Sequence, residues 1–296
     1  MKIGIPRSLF YYYYDSLWRY FFEELDIELV ISPKTNKEII DLGRSLATDE
    51  MCLSLKNYIG HVAYLKDKCD YILIPRIDNY GTYNQTCTNF LAIYDYLNNI
   101  LDIHILNYNI NLNNGETEKK GLVNIAKRLG VSRKRASIAY EIARIKTNKN
   151  NKIKKQKNYQ ELDSEQRKVL LISHAYNTYD QFIGIPIVKL LEKQQLEVIY
   201  SDIFDCLNTQ NNPLAPNLYW KYSKDMLNAI NVFKDKIDGI IFLSTFPCGL
   251  DSLANELAMR NIDIPYINIV IDDMDSLTGM ETRIESFADI LKQKNY

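Results

Sequence analysis

Lys2-Ile3-Gly4-Ile5-Pro6 opens the chain as a short β-branched run cut by a proline, and from Leu9 to Leu25 apolar and aromatic residues then recur at helical spacing, at Phe10, Tyr14, Leu17, Phe21 and Leu25. A strand leading straight into a helix is the unit of an α/β fold, and the chain repeats it. Ile27 to Ile31 reads as a strand, Asn36 to Leu46 as a helix capped by Thr35 or Asn36, and Glu50 to Leu65 as a helix whose first turn contains Cys52. Tyr71 to Ile74 is a strand, the polar stretch Asp78 to Thr88 a loop, Asn89 to Asn99 a helix and Ile103 to Leu106 a strand.

Asn107 to Gly115 is rich in asparagine, and Glu116 to Ile145 carries two helical patterns separated by Gly130-Val131-Ser132. Lys146 to Lys157 is almost entirely Lys, Asn and Gln, the composition of a solvated linker or a frayed helix end. The alternation restarts with a strand at Val169 to Ser173, a helix at Tyr179 to Glu192 interrupted by Pro186, and a strand at Glu197 to Tyr200. It closes with a helix at Tyr219 to Phe233, a buried strand at Gly239 to Leu243, a helix at Leu250 to Arg260, a strand at Tyr266 to Ile271 and a helix at Thr278 to Lys292. β-branched runs alternating with helices build parallel sheets covered on both faces. The expected architecture is therefore α/β with two lobes, residues 1–107 and 166–296, joined by a helical connector and polar linker over 108–165.

The composition narrows the function. The 296 residues carry 36 Lys and Arg against 37 Asp and Glu, so no global positive field recruits nucleic acid or anionic lipid, and any anion site must be local. No apolar run approaches the roughly 18 residues needed to cross a bilayer, and the opening residues lack a signal peptide's apolar stretch, so the cytoplasm is the expected compartment and no membrane partner is expected. Five cysteines without close pairing argue against a disulfide framework.

Ligands of open parallel sheets bind outside the carboxyl ends of the strands, where helix N-termini favour negative charge. That rule separates the cysteines. Cys52 starts a predicted helix, Cys87 lies in the loop Asn84-Gln85-Thr86-Cys87 ahead of one, and Cys248 lies in Phe246-Pro247-Cys248-Gly249 between a strand and a helix. Cys69 precedes a strand and so falls at the opposite edge, and Cys206 follows one; both are read as packing residues. Separations of this kind match no compact zinc or ferredoxin spacing, so position alone leaves incidental thiols and shared metal ligation both open.

Among the histidines, His174 ends a strand at a corner and is the acid–base candidate, although nothing in the sequence names its partner; mid-helix His61 reads as a hydrogen-bonded packing residue and His104 as structural. Asp251 and Ser252 read as helix caps that orient the Cys248 loop, and Asp272-Asp273-Met274-Asp275 as a capping loop. Arg76 suits a phosphate or a neighbouring carboxylate, and Arg283 a structural ion pair. The tyrosines Tyr11 to Tyr14 surround a helix and are not expected to form a cofactor stack.

Several ordered segments resemble the 2-hydroxyacyl-CoA dehydratase group, particularly its short activase-related branch: Ile3-Gly4-Ile5-Pro6-Arg7, Asp49-Glu50-Met51-Cys52, Gly60-His61-Val62, Tyr71-Ile72-Leu73-Ile74-Pro75-Arg76, Tyr176-Asn177, Phe246-Pro247-Cys248-Gly249-Leu250-Asp251-Ser252 and Thr282-Arg283-Ile284-Glu285-Ser286-Phe287. The resemblance implies two flavodoxin-like lobes holding a [4Fe-4S]-type or larger iron–sulfur cluster between them in an oxygen-sensitive protein of anaerobes. The family's cysteine positions fall on Cys52, Cys87 and Cys248. It further implies an ATP-dependent activase as electron donor, an acyl-CoA as substrate, a second subunit or a homodimer as partner, and electron transfer or reductive dehydration as the task. After Cys87 the sequence reads Thr88-Asn89 where the family usually continues with proline and lysine, and no glycine-rich phosphate loop is present, so ATP hydrolysis is not expected of this chain itself. A cluster-free two-lobed ligand-binding or scaffold protein is the alternative.

Overall fold

The computed structural model describes residues 1–203, 214, 217–272 and 277–293. Cys206 and Asp273 to Asp275, singled out above, lie outside the described residues. The chain divides into two units, residues 1–152 with 219–221, and residues 153–218 with 222–296.

The first unit contains β1 (Lys2–Ile5), α1 (Tyr11–Glu23), β2 (Glu28–Ile31), α2 (Lys37–Leu46), α3 (Leu53–Leu65), β3 (Tyr71–Leu73), β4 (Arg76–Asn79), α4 (Thr88–Ile100), β5 (Ile105–Leu106), β6 (Asn109–Asn111) and α5 (Glu118–Arg128). The strands β2-β1-β3-β5 form one parallel sheet in that order, so the chain reverses direction across the sheet between β1 and β3. The core of this unit includes the apolar stripe of α1, with Leu17, Trp18, Phe21 and Phe22 buried, together with buried Ile3 and Ile5 of β1 and Tyr58 and Ile59 of α3. Trp18 Nε1 donates to the Tyr108 hydroxyl at 3.0 Å, so the largest of these side chains buries no unpaired polar atom.

Two helices meet with almost no space between their backbones. A Cβ at Gly60 of α3 would lie 2.0 Å from the Ile39 carbonyl oxygen of α2, and one at Gly43 of α2 would lie 2.1 Å from the Lys56 carbonyl oxygen. Only glycine allows this approach, which fixes the direction in which α3 leaves its N-terminus.

A short strand that the sequence did not show runs into the start of the stretch read as a loop, at Asp78 and Asn79. β4 pairs in parallel with β6, inside the asparagine-rich segment, and together they extend β3 and β5 beyond Pro75. Their residues Arg76-Ile77-Asp78-Asn79 and Asn109-Ile110-Asn111 bury one isoleucine each, too little apolar content to register as strands.

The two helices expected between residues 116 and 145 are present, but the second, α6 (Arg133–Glu161), runs on through the Lys/Asn/Gln segment. That segment is a helical face in solvent with specific anchors: Asn150 Nδ2 donates to the Tyr20 hydroxyl at 2.8 Å, while buried Asn158 accepts from Tyr200 N and donates to the carbonyls of Tyr200 and Ile203. The division between the units falls within α6.

The second unit holds β7 (Arg167–Ile172), α7 (Ala175–Thr178), α8 (Gly184–Lys193), β8 (Leu196–Tyr200), α9 (Lys221–Phe233, from Tyr222 onward), β9 (Gly239–Thr245), α10 (Gly249–Met259), β10 (Tyr266–Ile271) and α11 (Leu277–Gln293). Its parallel sheet has the order β10-β9-β7-β8, with β9 buried along its whole length. The expected interruption at Pro186 is corrected: the helix starts at Gly184, and Pro186 occupies its first turn, where a missing N–H leaves no intrahelical bond unmade. Both units are thus flavodoxin-like α/β layers, the architecture expected from the alternation of strands and helices.

Candidate functional site

Cys52, Cys87 and Cys248 are each the residue that immediately precedes a helix, at the N-caps of α3, α4 and α10 respectively. For Cys52 this moves the thiol one position outward from the expected first turn: Met51 N donates to the Thr48 carbonyl to close a turn, and Cys52 is extended (φ −63, ψ 151) before the helix begins. All three are half-buried, and none of the four described cysteines forms a disulfide. A cysteine at a helix start sits among N–H groups that have no partner within the helix, a setting that favours the thiolate, the form that ligates metal.

The loop carrying Cys87 is braced. Thr86 Oγ1 donates to the Ile77 carbonyl at 2.6 Å, and Gln85 forms a parallel bridge with Trp220, accepting from Lys221 N and donating to the Tyr219 carbonyl. The Cys248 loop is tied at its other end, where Ser252 Oγ donates to the Cys248 carbonyl at 2.7 Å.

Asp251 does not cap the helix as expected. Its Oδ1 lies 2.9 Å from His174 Nε2, with Asp251 2% and His174 6% exposed. The imidazole is stacked on Tyr176, centroids 4.7 Å apart, and meets the Tyr222 ring edge-on at 6.1 Å. His174 follows the end of β7 and Cys248 the end of β9, the two adjacent strands between which the order of the sheet reverses. Crevices at such reversals are where open α/β sheets take ligands. The carboxylate accepts from Nε2–H, which fixes the tautomer. An aspartate at the third position of a helix that begins after a cysteine looks like a first-turn acid in sequence; only the adjacency of β7 and β9 brings it to His174.

The remaining candidates separate from the site. His61 is fully buried, with Nδ1 2.8 Å from Ser32 Oγ and Nε2 3.1 Å from Thr35 Oγ1, the packing histidine expected. Burial, and then the nearby Arg7 charge, lower its pKa to about 3, so it is neutral at physiological pH. His104 stands just before β5 and is exposed, correcting its placement within a strand. Arg76 meets a carboxylate, Asp95, at 2.7 Å. Arg283 donates to the Asn268 carbonyl at 2.6 Å in place of the expected ion pair. Tyr14 is buried, stacks on Trp18 and shares a hydrogen bond with the Tyr80 hydroxyl, while Tyr11 to Tyr13 are half-buried. Cys69 donates to the Leu65 carbonyl at 3.4 Å and fills the space above Gly4, where a Cβ would lie 2.5 Å from its sulfur.

The donor chemistry of the three N-cap thiols fits an iron–sulfur cluster or a thiophilic metal. Cys52 and Cys87 belong to the first unit and Cys248 to the second. Among the described residues no group of three or more His, Cys, Asp or Glu side chains is arranged to hold a metal ion. No described helix is long and apolar enough to cross a membrane.

Flavodoxin-like parallel sheets, with cysteines and a His–Asp pair at strand-to-helix and helix-start corners, define an open-sheet α/β protein. More particularly, residues 2–204 match the model of the CoA enzyme activase uncharacterised domain (DUF2229), and the chain belongs to that family. The match includes Cys52, Cys87 and His174 and ends before Cys248 and Asp251. No curated protein is similar in sequence. Solved structures that align include the SBP FpvC from Pseudomonas aeruginosa in complex with Mn2+, 11% identical over 99% of this chain and 97% of that one with a TM-score of 0.30. A metal-free mutant of a periplasmic metal binding protein from Candidatus Liberibacter asiaticus is 14% identical over 99% and 98% of the two chains, with a TM-score of 0.28. Likeness at that level carries no argument about function.

Proposed function

We propose that this member of the activase-related family is an iron–sulfur redox protein in which Cys52, Cys87 and Cys248 supply thiolate ligands. The observation that carries the reading is that these three cysteines, far apart in sequence, share one structural position, the residue that begins a helix. When bound, a [4Fe-4S]-type or larger cluster would supply one-electron transfer at low potential. The chain's own part is to hold thiolates at helix N-termini and, through His174 oriented by Asp251, to give or take a proton at the imidazole. An ATP-dependent activase as electron donor and an acyl-CoA as acceptor follow from the family resemblance, as does a second subunit or homodimer.

A cluster-free small-ligand-binding protein is the second reading; buried side-chain atoms of the first unit that have no partner among the described residues are compatible with ligand binding with or without a cluster. Anaerobic purification followed by iron reconstitution decides between the two. A brown protein with about four irons per chain, losing them on Cys52→Ser or Cys248→Ser, supports the redox reading. A reconstituted protein that stays colourless and iron-free ends it.

A further inference from the structure

The first unit encloses polar side-chain atoms that have no hydrogen-bond partner among the described residues. Asn57, on α3, is 1% exposed, and neither its Oδ1 nor its Nδ2 meets a partner among them. Arg7, in the loop that leaves β1, is half-buried, and its Nε is likewise enclosed without an acceptor among the described residues. A buried polar atom left unpaired costs more than an ordinary hydrogen bond returns, and an enclosed guanidinium nitrogen without an acceptor costs more still. Such groups in a native protein call for a bound partner.

The same region of the first unit holds both. Asn57 precedes His61 by one helical turn on the same face of α3, a spacing that puts their Cβ atoms roughly 5 to 6 Å apart. His61 Nδ1 meets Ser32 Oγ at 2.8 Å, and Ser32 Oγ accepts from the backbone N–H of Arg7 at 2.8 Å. Ser32 directly follows the carboxyl end of β2, and Arg7 stands two residues beyond that of β1, where open parallel sheets receive ligands. The Arg7 guanidinium rests over the Tyr11 ring at 5.6 Å, so an aromatic face holds its charge in place.

We infer that Arg7 and Asn57 form a binding site for a small oxyanion that carries its own O–H. Arg7 Nε–H and Asn57 Nδ2–H donate to anionic oxygens, and Asn57 Oδ1 accepts the ligand's hydroxyl hydrogen. An anion without an O–H leaves Oδ1 unpaired, so the site discriminates between anions of equal charge and similar size. His61 is neutral there and adds no competing proton. The site uses no iron and stands whether or not a cluster binds.

The test uses the full chain near neutral pH, by calorimetry and thermal unfolding, with inorganic phosphate and bicarbonate as hydroxyl-bearing anions and sulfate as the anion without one. Sulfate also controls for the general stabilisation that phosphate gives by exclusion from protein surfaces. Saturable binding of phosphate or bicarbonate at least about tenfold tighter than of sulfate is expected, the worth of one buried hydrogen bond. Arg7→Gln should weaken that binding at least about tenfold, with Arg7→Lys, which keeps the charge, as the second variant. Asn57→Leu should abolish the preference over sulfate and raise the urea midpoint of the ligand-free protein, because it removes two unpaired buried atoms. Equal affinity for all three anions, or no saturable binding of any, overturns the site. A lowered midpoint for ligand-free Asn57→Leu overturns it as well, since Asn57 would then be satisfied by an ordered water only.

Discussion

His174 Nε2 and Asp251 Oδ1 lie 2.9 Å apart although 77 residues separate them, because each follows the carboxyl end of one of two adjacent central strands of the second sheet. The pair converts a histidine with no visible partner into an imidazole of fixed tautomer, and it stands beside the helix that Cys248 begins.

Removing the carboxylate should therefore leave a buried N–H unpaired. Asp251→Ala is expected to cost about 1 to 3 kcal/mol in urea unfolding, and Asp251→Asn less, since its amide oxygen still accepts. The imidazole 15N shifts of His174 report the tautomer directly. A mixed tautomer in wild type, or no change in Asp251→Ala, contradicts the positioning role.

The neutral His61 makes stability depend on pH. Its pKa is lowered from 6.5 to about 3 on folding, so between those values the unfolded chain binds a proton that the native chain does not. Stability is whole above pH 6.5 and falls as the pH drops toward 3. Relative to His61→Gln, wild type should lose about 2 kcal/mol between pH 7 and 5. Parallel losses in the two proteins would show that the proton goes elsewhere.

Gly60→Ala should be among the most damaging single changes in the first unit, because its Cβ would fall 2.0 Å from the Ile39 carbonyl oxygen and backbone must move. A loss of about 3 kcal/mol or more is expected. An unperturbed urea midpoint would mean that α2 and α3 do not cross as closely as described.

Gly4 and Cys69 should behave as one packing unit. Gly4→Ala drives a methyl group to 2.5 Å from the Cys69 sulfur and should cost about 1 to 3 kcal/mol, whereas the same change in a Cys69→Ala background should cost much less. Additive effects in this cycle would remove Cys69 as the reason for the glycine.

Cys69 is also the control for metal binding. In anaerobically reconstituted protein, Cys52→Ser, Cys87→Ser and Cys248→Ser should each lower the iron content by about half or more, while Cys69→Ser should leave it unchanged. Iron lost equally with all four substitutions would point to misfolding rather than to ligation.

Much of this was legible from the chain alone. β-branched runs such as Val169 to Ile172, set between amphipathic helices, carry their own burial pattern, so the two parallel α/β layers and the loops before helices at Cys87 and Cys248 follow from local periodicity and from where the strands end, while the start of the Cys52 helix was placed three residues early. The β4–β6 pair escaped because its strands are mostly Asn, Asp and Arg, and alternation cannot be read from polar residues. The helical course of Lys146 to Lys157 escaped because its anchors, Tyr20 and Tyr200, are distant in sequence.

Local sequence determined the apolar strands and the amphipathic helices and most of the residues at their joints, since hydrophobic period and chain-breaking residues act over a few positions. Strand order across each sheet, the meeting of His174 with Asp251, the enclosure of Asn57 and the contact of Gly60 with Ile39 were decided only by tertiary structure. Those are relations between residues tens of positions apart, set by which strands pair and how closely helices cross, and no short-range pattern encodes them.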